Sequence, residues 1–574
     1  MRLNPALVTQ QAAQRLPRLA LLLLCAAYVL PGLLGRDPWR GADLSAFGQM
    51  LALAEGRAPW LAPALGGVPT GAALLPHWIG AAAIQALQPW LGPALAARLP
   101  FAALLVLTLA ALWYATFHLA RSDAAQPLPL AFGGEASPVD YGRAMADGAL
   151  LAFIATLGLL QLGHETTPEL AQLAAVASLQ WALAAAPHRG WQVRVVLLLA
   201  LPALAASGAP AMAVAWGLGS VALAGASTLP ALRRLLPWLA AATVLAAGLA
   251  VATGSWAWRV APVIEVGLLA RLWLWFLWPA WPLAMWTLWR WRQPWRQHHL
   301  AVPLLGLGVA LLTCIAMDGS DRALMLGLPG IAALAAFALP TLQRGATAAI
   351  DWFSVFFFTL CAVVVWVFHV GLQTGVPMAV RAAVDRLTPG FEPPAPGLPL
   401  AVALAATLAW GWLVRWRTRR HRPALWKSLV LPAGGVALNW LLLMTLGLPL
   451  LDYARSNRAL VDRLVQHVPA GACVAAPGAP ASLVAALEFH GRHAVDASDA
   501  AADGSCPALV MVLVERGAGQ ATSASRLDRL RALGWREVAR ARGPTERREV
   551  VLVLRRVPGT ALAGASAHGL GVGG

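Results

Sequence analysis

Charge is scarce in this chain. Asp, Glu, Lys and Arg together make up 12% of its 574 residues, against about 25% in an ordinary soluble domain. Lysine is almost missing: Lys427 is the only one, so the net charge of +17 is an arginine charge. With 59% hydrophobic residues and a mean hydropathy of +0.64, the chain has more apolar surface than a water-soluble core could hide, which points to a polytopic membrane protein. Basic residues of such proteins collect in cytoplasmic loops, so the charge does not argue for nucleic acid, and no nucleic-acid partner is expected. Cysteine is also rare. Cys25, Cys314 and Cys361 fall inside apolar runs and read as packing residues. Cys473 and Cys506 lie in a polar tail and can form a disulfide if that tail is outside the cytoplasm. There is no internal repeat, no zinc-ligand spacing, and no glycine loop between a strand and a helix; the closing "GLGVGG" lacks both flanks. No metal ligand set and no certain cofactor follow from the sequence, with divalent-metal dependence left open. After the first apolar run, "GLLGRDPW" has no small-x-small cleavage site, so the run reads as a retained first span and not as a signal peptide.

What the chain does have is apolar segments, about 13 of them, centred near residues 26, 109, 154, 178, 200, 218, 245, 279, 308, 331, 361, 407 and 440. With the N-terminus in the cytoplasm and the segments alternating, 19 of the 43 basic residues fall in cytoplasmic pieces and 9 in outer loops; the rest lie in the tail. The expected fold is mainly α: a membrane protein of about 13 transmembrane helices over residues 1–451, with a large first periplasmic loop over 36–98. A small C-terminal periplasmic α/β domain follows over 452–557, then a disordered Gly/Ala-rich stretch over 558–574. Strands are predicted at 473–476, 508–515, 535–541 and 549–556, and helices at 481–490 and 525–534.

The first outer loop is longer than a link between helices needs. Within it, "DLSAFGQMLALAEG" (43–56) sets Leu44, Phe47, Met50, Leu51 and Ala54 on one face, which suggests a helix lying on the membrane surface. Asp43 would sit at its start, either as a helix cap or as a general base at the interface, where a lipid-tailed substrate presents its polar head. Asp37, next to Arg36, is a secondary candidate or one half of a solvated ion pair. His164 and Glu165 are a polar helix terminus or a metal pair, although neighbours on a helix point different ways. Glu169 follows Pro168 at a helix start, where an acid suits the dipole. Arg259 and Arg322 are isolated outer-face arginines, able either to fork onto a phosphate or to anchor at the interface.

These pieces resemble a known family. "DPW" (37–39) after the first span, with an acidic residue soon after and then "LALAEGRAPWLAPALGGVP" (51–69), resembles the opening of the bacterial polyprenyl-phosphate-dependent membrane glycosyltransferases. That family has the GT-C fold, includes the lipid A aminoarabinose transferases and is related to the protein O-mannosyltransferases. "HETTPEL" (164–170), "WPLAMWTLWRWR" (281–292), "MDGSDRALMLGLPGIAAL" (317–334) and "LLDYARSNRALVDRL" (450–464) before "GACV" resemble its later parts, so the resemblance covers nearly the whole chain. It implies an inverting glycosyltransferase of the bacterial inner membrane, taking a sugar from a polyprenyl-phosphate donor to a periplasmic acceptor that is a lipid, glycan or protein. Asp43 would be its catalytic carboxylate; Arg259, Arg322, Glu169 and His164 would hold substrate and phosphate. The chain departs from the pattern in three places. The family's acidic pair falls on Ala42 and Asp43, leaving one carboxylate. Its Glu-Lys-Pro-Pro element should follow "GGVP" (66–69), where this chain reads "TGAALLPHW". Met325 stands where the family has a tyrosine. The alternative is therefore a non-catalytic GT-C relative acting as a scaffold or in the handling of lipid-linked sugars. A transporter should show matching broken helices in two halves, and none are seen.

Overall fold

The computed structural model describes residues 6–71, 73–129, 132–256, 265–292, 296–395, 397–419, 424–517 and 519–556. These form two compact units, one within residues 1–36, 71–380 and 393–449, the other within 37–70, 381–392 and 450–574. The stretch expected to be disordered, 558–574, lies outside the described residues.

The first unit is helical. Several helices open on proline, among them Pro93–Ala120, Pro138–Ala155, Pro168–Ala185 and Pro210–Ala226. A proline suits the first turn, where its missing N–H has no partner to lose and its fixed φ is already helical. Pro168–Ala185 is buried on nearly every side, wrapped in alanine and leucine. Small residues let the helices touch: a Cβ on Gly330 would lie 2.5 Å from the Pro303 carbonyl oxygen.

Among the described residues, four helices are long and apolar enough to cross a membrane: Pro93–Ala120, His298–Ala316, Arg344–Thr374 and Gly397–Thr418. The number rises to six if two bent helix pairs each count as one span, one of them Val266–Phe276 with Ala280–Arg290, bent by 95°. The expected count of about 13 exceeds this. All 13 apolar centres fall in a helix or, at 279, on that bend, but many of the helices are short: Arg18–Val29 has 12 residues, Trp191–Ala206 has 16, Leu236–Ala252 has 17. At 1.5 Å per residue these reach about 18–26 Å, less than the ~30 Å of a hydrocarbon core.

The second unit holds the sheets. Two short strands, β1 (Ala64–Leu65) and β2 (Val68–Pro69), form a hairpin around Gly66 and Gly67. Both glycines have positive φ, 58° and 75°, as a tight two-residue hairpin turn requires. The larger sheet contains β3 (Val474–Ala475), β4 (Val495–Asp496), β5 (Ala508–Val514), β6 (Trp535–Ala541) and β7 (Glu549–Arg556) in the order β4-β3-β5-β7-β6. β3 runs parallel to β4 and β5, while β7 is antiparallel to β5 and β6. The central strand β5 reads as an unbroken apolar run, and the edge strand β6 carries the charges that keep an edge in water. β4 was not predicted, being too short to show alternation. Cys473 and Cys506, each next to a strand, are joined by a disulfide.

The helix Ala42–Ala54 differs from its expectation. It does not present one apolar face as a surface helix would: Asp43, Leu44, Ala46, Phe47, Gly48, Met50, Leu51, Ala52 and Leu53 are all buried. It packs on Ala481–Phe489, with the Phe47 and Phe489 rings edge to face at 4.8 Å. A Cβ on Gly48 would meet Ala485 Cβ at 2.5 Å. The apolar residues that suggested a membrane face are the core of a folded unit.

Candidate functional site

Chemistry-bearing side chains gather in two clusters, one in each unit. In the sheet-bearing unit the segment 37–43 lies along the helices Leu448–Arg455 and Arg458–Val465. Asp37 takes a two-pronged contact from Arg458, Nη2 to Oδ1 at 2.6 Å and Nε to Oδ2 at 2.8 Å, and the Ser456 hydroxyl adds a third bond at 2.9 Å. Burial pushes the Asp37 pKa up, but the hydrogen bond and charge of Arg458 outweigh it and hold the carboxyl below its usual range. Asp452 Oδ1 accepts from the Asp37 backbone N–H at 2.9 Å and from Trp39 Nε1 at 3.1 Å. The Arg455 guanidinium lies over the Trp39 ring at 5.1 Å, near the limit for a cation–π contact.

Asp43 belongs to this cluster. The helix begins at Ala42 with Gly41 in the cap position, so Asp43 is two residues too late to be the cap. Its side chain turns back and Oδ2 accepts the Trp39 N–H at 3.0 Å. The residue is 2% exposed. Arg40, three residues before Asp43, meets Thr545 at 2.8 Å and Glu546 at 3.7 Å.

In the helical unit the cluster is built from the 163–169 connection and the start of the short helix Asp321–Met325. Arg322 is at its centre. Nη2 meets Glu165 Oε2 at 2.5 Å; Nη1 meets Thr167 Oγ1 at 3.1 Å and Glu169 Oε2 at 3.3 Å. Gln161 donates to the other oxygen of Glu165 at 2.7 Å. Both terminal nitrogens of the fork therefore face carboxylates, and the trio carries a net charge of one minus. A phosphate meets this arginine only after a carboxylate leaves it or a cation joins it. Glu165, read from sequence as half of a metal pair, is the acid most tightly held by Arg322. No group of three or more potential metal ligands occurs among the described residues.

His164 points elsewhere. Its Nδ1 is 2.8 Å from the Leu160 carbonyl oxygen and its Nε2 2.8 Å from that of Tyr28. Burial lowers its pKa to about 4, against the two carbonyls, which raise it. A neutral imidazole has one N–H, so only one of these carbonyls receives a hydrogen bond. Arg36 seals the same corner, donating to the carbonyls of Gly32 at 2.8 Å and His164 at 2.7 Å. His164 thus joins the first helix to the 163–169 connection, and its ring has no nitrogen turned toward Arg322.

The structure therefore groups Glu169 with Arg322 and Asp37 with Asp43, places His164 in the framework, and adds Glu165, Asp452, Ser456 and Arg458. Arg259 lies outside the described residues. Sequence reasoning missed Arg458 and Asp452 because only the fold brings them beside the Asp-Pro-Trp segment; their one signal was the acidic and basic pattern of "LLDYARSNRALVDRL".

No family model and no curated protein sequence matches this chain. Solved structures do. The crystal structure of ArnT from Cupriavidus metallidurans bound to undecaprenyl phosphate is similar with a TM-score of 0.60 at 12% identity, covering 93% of this chain and 96% of that one. Apo ArnT from the same organism gives 0.58 at 14% identity, over 93% and 97%. At such low identity the likeness is one of fold, and it extends over nearly the full length of both chains: this protein has the fold of ArnT.

Proposed function

We propose that this chain is a membrane glycosyltransferase that takes a sugar from a polyprenyl-phosphate donor and passes it to a periplasmic acceptor. The observation that carries this reading is the full-length likeness to ArnT, one of whose structures holds undecaprenyl phosphate. It agrees with the resemblance drawn from "DPW" and the later motifs. Two further observations support placing the first loop and the tail on the outer face. Residues 37–70 and 450–556 contribute to one compact unit, so they share a side of the membrane. The Cys473–Cys506 disulfide suits an oxidising compartment.

In the proposed reaction the acceptor hydroxyl attacks the anomeric carbon, the bond to the phosphate oxygen breaks, and the polyprenyl phosphate leaves. Asp43 takes the hydroxyl proton. With one attacking group and no covalent enzyme intermediate, configuration inverts. Asp37, held by Arg458 and Ser456, fixes the chain that carries Trp39 and Asp43. Arg322 takes a phosphate oxygen in exchange for Glu169, the more distant of its two acids at 3.3 Å; Arg259 is the second proposed phosphate ligand.

Specific observations favour the second reading, a non-catalytic relative. Asp43 is 2% exposed, and Arg322 is already neutralised by two acids. Transfer of labelled sugar from polyprenyl phosphate in reconstituted vesicles separates the two. Asp43→Asn is expected to fold normally and to lower transfer by roughly 10²-fold or more, the scale of a lost general base. A stable variant as active as wild type removes Asp43 from the mechanism. Wild-type protein inactive with every lipid-linked donor favours the non-catalytic reading.

A further inference from the structure

A cavity lies in the helical unit at the opposite end of Pro168–Ala185 from Glu169. Trp181 lies twelve residues on from Glu169, about 18 Å along the axis. Here a cavity of about 410 Å³ opens between Pro93–Ala120, Pro168–Ala185 and Trp191–Ala206, a volume in the range of small-molecule sites. Its lining is graded. His118, Arg189 and Gln192, near the helix ends, form a polar rim; Tyr114 and Trp181 come next; Leu107 and Ala110 make the apolar depth. On Pro93–Ala120 the residues 107, 110, 114 and 118 recur at intervals of three and four and so share one face.

The rim is basic. The His118 and His188 rings stack at 5.1 Å, and Arg121 and Arg189 both act on them. A carboxylate, Asp123, acts on His188. Nδ1 of the cavity-lining His118 and Nε of the nearby Arg121 are buried and have no hydrogen-bond partner among the described residues. An apolar slot that ends in the Arg189 guanidinium at an aromatic level is the complement of an amphiphile with an anionic head and a long chain.

We propose that this cavity binds an anionic phospholipid of the leaflet facing the rim, its phosphate on Arg189 beside His118 and Gln192 and one acyl chain along Leu107 and Ala110. The site is separate from the proposed donor chemistry at Arg322 and does not rest on it. The test is native mass spectrometry of the full-length protein released from nanodiscs of phosphatidylglycerol mixed equally with phosphatidylcholine. Wild type is expected to keep phosphatidylglycerol selectively. Arg189→Gln should weaken that retention by about tenfold, on the scale of one lost charge-assisted contact. Ala110→Phe, which fills the slot from an exposed position without touching the charges, should weaken it as much. Thermal unfolding of each variant without added lipid checks that the fold is intact. Equal retention by wild type and both variants overturns the proposal. So does a protein stabilised as much by inorganic phosphate as by phosphatidylglycerol, since the chain would then contribute nothing.

Discussion

Asp37 and Asp43 stand six residues apart on one segment, yet their surroundings assign them different work. Asp37 faces a guanidinium and a hydroxyl; Asp43 faces a backbone amide. A carboxyl whose pKa is lower in the folded than in the unfolded state adds stability above the unfolded value, about 4, and loses it as pH falls through the folded value. Asp37 is of this kind. The sheet-bearing unit of wild-type protein is therefore expected to lose thermal stability below about pH 4, and Asp37→Asn to flatten that acid limb while leaving the unit less stable at neutral pH. Scanning calorimetry between pH 3 and 7 checks both, and an unchanged acid limb would show that Arg458 adds nothing. The importance of this segment was legible in "DPW" and its acids, because motif residues stand next to each other in sequence. Their partners were not, because Arg458 is 421 positions from Asp37. Likewise the sequence offered Arg322 as a phosphate fork but could not show Glu165 and Glu169 already in its grip.

At the level of elements, patterns with a local cause were read well. The runs at 508–515, 535–541 and 549–556 became β5, β6 and β7, since strand alternation and β-branched residues act within a few positions. The helix Ala42–Ala54 was found, but its neighbour was misjudged: an apolar stripe looks the same whether lipid or protein covers it. Gly48 now shows which it is. A methyl there meets Ala485 Cβ at 2.5 Å, so Gly48→Ala is expected to destabilise the unit by about 1–3 kcal/mol, the cost of overpacking. Ala485→Gly in the same chain should recover most of it, a coupling that chemical denaturation of the four proteins of the cycle measures. Additive losses would mean that the two helices are not in contact. A membrane-surface helix would tolerate Gly48→Ala with no loss at all.

For the whole molecule, the apolar composition announced a mainly helical chain, and the likeness in fold to ArnT extends over 93% of it. The expected count of about 13 spans stands above the four to six helices that are long and apolar enough to cross a membrane among the described residues: helices such as Arg18–Val29 and Trp191–Ala206 are apolar but short, and hydropathy alone does not fix which short apolar helices cross. The assembly of the sheet-bearing unit from 37–70, 381–392 and 450–574 was equally hidden, since no composition shift marks a segment as belonging with another 400 residues away. It predicts that the tail expressed alone, without Ala42–Ala54, leaves Ala485 and Phe489 short of packing partners. Such a fragment should be open to protease and become resistant when residues 37–70 are supplied on the same polypeptide through a flexible linker. A compact, resistant tail alone would show that the first loop is dispensable. The same discontinuity sets a clock on biosynthesis. At about 5–20 residues per second, the 421 positions between Asp37 and Arg458 take roughly 20–80 s to translate. For at least that time Phe47 waits without Phe489, the ring it packs on, so the nascent chain carries an uncovered apolar segment through most of its synthesis, and a chaperone that binds this segment has a defined client.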